Sequence, residues 1–114
     1  MLVRSVDQIS QDNVEQEGAE GVKIRWLISK YAGAPNFAMR EFEIEPEGHT
    51  PYHSHDWEHE VFVLSGEGVV VSEGEQISIS RDTVVFVPGG QMHNFRNTGS
   101  GVLRFLCLVP HKKD

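Results

Sequence analysis

The chain has 114 residues and a mass of 12.8 kDa, enough for one domain with a core and too little for two. Apolar residues make up 39% and charged residues 24%, the balance of a folded globular chain rather than a disordered one. Ten Lys and Arg against 17 Asp and Glu leave a formal charge of -7, which repels phosphate backbones and anionic headgroups and sets nucleic acid and membranes aside as partners.

The opening stretch MLVRSVDQISQDNVEQE has no apolar leader core, and no apolar run along the chain approaches the ~20 residues that cross a bilayer, so a cytoplasmic protein is expected. Residues 5 to 20 are polar and weakly patterned, either a short helix or a surface segment. From Val22 the pattern becomes alternating: Val22, Ile24, Trp26 and Ile28 share one face, and Lys23, Arg25 and Leu27 the other, which predicts a half-buried strand. Further strands are expected over 38–45, 52–55, 60–64, 68–72, 76–80, 84–87, 92–97 and 102–109. Tight turns are expected at Ser65-Gly66-Glu67-Gly68, Ser72-Glu73-Gly74-Glu75, Pro88-Gly89-Gly90 and Asn97-Thr98-Gly99-Ser100-Gly101, whose residues accept turn dihedrals. Short, evenly spaced strands without an internal boundary predict one antiparallel sandwich or jelly-roll barrel over 1–114.

Several strands are apolar on both faces: Val61 to Leu64, Val69 to Val71, and Val84 to Val87. One face fills the barrel and the other needs cover, which a homodimer supplies. Cys107 is the single cysteine, so neither an intrachain disulfide nor a cysteine-rich zinc site can form.

Six histidines occur, and His53, His55 and His59 fall within one short run. Strand residues two apart point the same way, about 6.6 Å from each other, so His53 and His55 can lean toward one ion. Asp56-Trp57-Glu58 is short enough to turn the chain and return His59 to the same place, and His93 follows the Pro88-Gly89-Gly90 turn. Neutral imidazoles suit first-row ions from Mn to Zn and leave the ion its full charge as a Lewis acid. His49 and His111 fall in a turn and near the end of the chain and receive no role.

The run His53-x-His55, three residues, His59, six residues, Gly66 resembles the first motif of the cupins, and Pro88-x-Gly90-x-x-His93-x-x-x-Asn97 resembles the second. The resemblance implies an all-β fold, the cupin double-stranded β-helix or jelly-roll barrel. It departs at His59, where the family carries Glu; Glu60 is a rival at the longer spacing, and His59 is preferred. The family's opening glycines fall at Glu47, with Gly48 beside it, and at Asp82, both turn positions. The histidine run is similar to that of small four-histidine, manganese-binding thermophile cupins, which implies one divalent transition metal ion, manganese first and Fe, Ni, Cu or Zn as alternatives, and a dimer. His53, His55, His59 and His93 are then the ligands. The reaction implied is that of a metal-dependent oxygenase acting on a small organic substrate in the barrel; the alternative is a metal-bearing cupin that binds or senses a ligand without turnover.

Phe42, Phe95, Phe105 and Cys107 are candidate pocket residues, the phenylalanines doubling as core and Cys107 as a pocket-wall thiol with no base nearby in sequence. Arg40 is in phase with Phe42 and Ile44; it either turns an anion-binding guanidinium inward or pairs at the dimer interface, and structural pairing is preferred. No phosphate-binding glycine loop or nucleophile elbow appears.

Overall fold

A computed structural model describes residues 1–111. A 3-10 turn over Val6–Gln8 leads into β1 (Asp12–Asn13) and β2 (Glu20–Ile28), and a second turn over Lys30–Ala32 leads into β3 (Phe37–His49). β4 (His59–Ser65), β5 (Glu67–Ser72), β6 (Glu75–Ser80), β7 (Val84–Val87), β8 (Asn94–Asn97) and β9 (Leu103–Pro110) complete one antiparallel sheet that curls into a jelly-roll half-barrel. The path β6-β5-β8-β3-β9-β4-β7 makes β3 its hinge, with β1 and β2 added along β3. The weakly patterned residues 5 to 20 thus supply a 3-10 turn and the two-residue β1.

Alternation decides what each strand buries. In β9, Leu103, Phe105, Cys107 and Val109 are buried while the residues between them are not, and β4 buries His59, Val61 and Val63 in the same manner. The register places Phe42 beside Phe105, Val63 beside Phe105, Arg40 beside Cys107, and Val61 beside Cys107, so these side chains share the inner face. Val22, Ile44, Val70, Ile79, Val87 and Phe95 complete the core around them.

Two expected strands are corrected. The alternation of β2 breaks at a register shift between Trp26 and Ile28, which leaves Leu27 buried and Ile28 exposed. Residues 52–55 are not a strand: pairing there is reduced to a single bridge between His53 and His93. The turns fall where expected. Glu73 and Gly74 both take positive φ, 51° and 85°, the two-residue hairpin geometry, and Glu47 and Asp82 occupy the same left-handed region at 69° and 67°. Gly66 has no alternative, because a Cβ there would lie 2.4 Å from the carbonyl oxygen of Val102.

Outside, the register brings Phe62 beside Val84 and Leu106, and Phe86 beside Glu60, an apolar outer face on which Val84 is 72% and Phe86 60% exposed. Among the described residues no helix is long and apolar enough to cross a membrane.

Candidate metal centre

The four histidines of the two motifs come together at the inner end of the sheet. His59 enters on β4 in phase with Val61 and is buried, whereas Glu60 lies on the opposite face, exposed. His93 precedes β8 and exchanges backbone hydrogen bonds with His53, 3.1 Å and 2.9 Å. The loop carrying His55 is held by the second motif's turn: Gly90 N–H donates to the His55 carbonyl at 2.6 Å. A Cβ at Gly89 would stand 2.6 Å from the Asp56 carbonyl oxygen, so only glycine lets the two motifs approach this closely.

Ring centroids lie 4.2 Å apart for His53 and His55, 5.1 Å for His55 and His59, 5.2 Å for His59 and His93, and 5.8 Å for His53 and His93. Imidazoles bound to one ion at about 2.1 Å, meeting at angles from square to tetrahedral, have centroids roughly 4.6 to 5.4 Å apart, so the four rings surround a space of the right size. Their donor atoms are not drawn together: among the described residues no group of three or more His, Cys, Asp or Glu forms a finished ion-holding set.

The donor chemistry favours an ion nonetheless. His93 Nδ1 faces the Gln91 carbonyl at 2.9 Å, which fixes the proton there and leaves Nε2 as a lone-pair donor. His59 Nε2 is buried with no hydrogen-bond partner, an orphaned polar atom that the other rings do not satisfy. Burial above all, then Arg40, His93, His55 and His53, lowers the His59 pKa from 6.5 to about 3. Burial also lowers that of His53, with His93 and Arg40 adding to it. Both rings are thereby kept in the neutral, ligating form. His59 Nδ1 lies 3.4 Å from both Cys107 Sγ and Arg40 Nη2, and Arg40 Nη2 lies 3.0 Å from the same sulfur. With its proton on Nδ1, His59 has the sulfur as acceptor and presents Nε2 to the centre.

The histidines stand at the foot of a cavity of about 690 Å³ that Phe42, Phe95, Phe105 and Cys107 also line. Phe105 stacks with Phe42 at 5.4 Å and meets Phe95 at 4.9 Å, so these rings are wall and core at once. Burial raises the Cys107 pKa despite the opposing pull of Arg40, which makes the thiol a poor nucleophile.

Arg40 turns inward, the first of its two expected uses: it lines the cavity and forms no ion pair among the described residues. Trp26 and Trp57 also line it, Trp57 stacked on His55 with centroids 4.5 Å apart, and sequence reasoning had assigned neither. The signal for Trp57 was its place between the histidines of the first motif. His111 reaches the rim and donates from Nε2 to the Ala34 carbonyl at 2.7 Å, and His49 lies away from the cavity, beside Thr50 and Glu20.

The cupin domain pattern matches residues 40–109. The chain belongs to the cupin family. It is 32% identical over 114 residues to an oxalate-binding protein of Thermotoga maritima, covering 96% of this cupin and 93% of that protein. The polyketide cyclase RemF of Streptomyces resistomycificus superposes with a TM-score of 0.93 at 32% identity, over 98% of this chain and 80% of its own. The tetracenomycin polyketide synthase protein TcmJ of Streptomyces glaucescens is 26% identical over 109 residues, 94% of this chain and 73% of that protein. Members of this family bind small molecules and often metals, and their activities differ, so the reaction of this cupin is a matter for its own site.

Proposed function

We propose that this cupin is a single-domain, metal-dependent enzyme in which His53, His55, His59 and His93 hold one divalent transition ion at the foot of an apolar barrel that takes a flat, oxygen-bearing organic substrate. The orphaned, buried His59 Nε2 within a ring of four imidazoles carries this reading. When bound, the ion supplies Lewis-acid polarisation of a substrate oxygen, with manganese preferred by family resemblance and Fe, Ni, Cu or Zn as the other candidates. The chain's own residues do the rest. Phe42, Phe95 and Phe105 exclude water and orient a flat body, Gln91 holds the His93 ring through its carbonyl, and Cys107 Sγ accepts a hydrogen bond from His59 Nδ1–H. The cavity is much larger than oxalate needs, and its size and aromatic lining support a ring-bearing substrate of the kind that a polyketide cyclase handles.

Elemental analysis of protein purified without a histidine tag tests the ion. Metal content near one ion per chain is expected, lost in His53→Ala, His55→Ala, His59→Ala and His93→Ala and kept in His49→Ala and Glu60→Ala. Retained metal in His59→Ala together with loss in Glu60→Ala would put the fourth donor on the wrong residue. Turnover of an aromatic substrate panel under air but not under argon supports oxygenation, whereas equal turnover in both points to ring closure or another non-oxidative reaction. A second reading, ligand binding without turnover, draws on the cavity lining, which among the described residues contains no Asp or Glu to act as acid or base. Binding without turnover across the panel favours it.

The outer face of β9, β4 and β7, with Phe62, Val84 and Phe86, supports a homodimer, to be checked by light scattering with Phe86→Glu as the disrupting variant.

A further inference from the structure

Every Lys, Arg, Asp or Glu that lines the cavity among the described residues is a cation, Lys30 at the rim and Arg40 within, although the chain as a whole carries -7. Arg40 is held between aromatic rings. Its guanidinium lies 5.0 Å from the Phe42 ring centre and 5.6 Å from that of Trp26, contacts that fix the group and shield it from water. Nη2 reaches Cys107 Sγ and His59 Nδ1, Nε is buried without a partner, and Nη1 meets no protein acceptor among the described residues. A partly desolvated cation in an apolar wall is costly unless an anion offsets it. The neighbouring imidazoles are neutral or cationic at ordinary pH, and an ion on them would only add positive charge.

We infer that the ligand of this cavity is an organic acid, a flat apolar body whose carboxylate lies on the Arg40 guanidinium while its other oxygen functions face the histidines. The direction of those oxygen functions rests on the function proposed above; the anion subsite rests on Arg40 alone. A guanidinium fork matches a planar carboxylate, and a single fork between aromatic rings lacks the several donors that a phosphate dianion requires.

Calorimetric titration of the full chain, purified without a tag, compares 2-naphthoate with its uncharged amide, 2-naphthamide, in metal-loaded and chelator-stripped protein. The carboxylate should bind about tenfold or more tightly than the amide in both forms, as expected for a charge-assisted pair. Arg40→Gln should bring the two probes to within about twofold and Arg40→Lys should keep part of the preference, with metal content unchanged in both. Equal binding of the probes, no binding of either, or a preference that survives Arg40→Gln overturns the inference. Protein that holds no metal yet prefers the carboxylate through Arg40 upholds this inference and removes the metal reading. Metal without the preference does the reverse.

Discussion

Two successive residues of β3 place charge on opposite faces of one sheet, and the two faces treat it differently. Glu41, outward in register between Arg25 and Leu106, is 0% exposed, and both Arg25 and Arg104 pair with it, Arg25 Nη1 at 3.1 Å. Arg25 also reaches Glu43 Oε2 at 2.8 Å and donates from Nε to the Ile9 carbonyl at 3.3 Å, so the N-terminal segment closes over the cluster. Glu41 and Glu43 hold the Arg25 pKa above its ordinary value. Arg40, facing in, has two aromatic rings, a thiol and an imidazole but no carboxylate. Charge that is matched within the chain serves the fold. Charge left unmatched beside a cavity is available to a ligand.

The largest effect should come from the matched face. Glu41→Gln leaves two arginines facing each other, and because both are partly solvated the loss should sit at the low end for a broken buried pair, about 3 kcal/mol in urea unfolding. No change there would show that the cluster contributes nothing and would remove one side of the contrast.

An intermediate effect, measured per pH unit, belongs to the histidines. His59 binds its proton more weakly folded than unfolded, so the unfolded chain takes up more protons between pH 6.5 and about 3. The contribution of a neutral His59 is therefore complete above pH 6.5 and is lost as the pH falls through that window. In ion-free protein one such group gives a slope of at most about 1.4 kcal/mol per pH unit. His59→Leu should flatten the curve of stability against pH; an unaltered curve would mean that the buried ring is not what resists protonation.

The smallest effect is expected at Arg40. Arg40→Gln strands no partner carboxylate and removes a buried, unsatisfied Nε, so unfolding free energy should move by less than about 1 kcal/mol in either direction. A loss as large as that of Glu41→Gln would show that Arg40 holds the fold together after all.

The motif histidines were legible because their spacing is local: a strand's parity, a short turn and a Pro-Gly-Gly corner are written in consecutive residues. The choice of His59 over Glu60 came from motif spacing, because Glu60 leaves only five residues before Gly66; the phase of β4, which places Glu60 on the opposite, exposed face, is a structural observation. Expectations failed where a neighbour intervened. The approach of Gly89 and Gly90 makes residues 52–55 a pinned loop rather than a strand, and a bulge near Trp26 leaves Leu27 buried and Ile28 exposed. Alternation within a segment shows neither.

By itself the sequence determined the all-β alternation, the turns and the two histidine motifs, because each depends on residues within a few positions of one another. Only the tertiary structure decided that Arg25 finds carboxylates and Arg40 does not. Arg40 meets Cys107 across 67 positions of chain, and Cys107 meets His59 across 48, contacts that exist because β3, β9 and β4 lie side by side in one register. Non-local strand pairing sets which side chains share a face, and a guanidinium's use follows from what that face offers it.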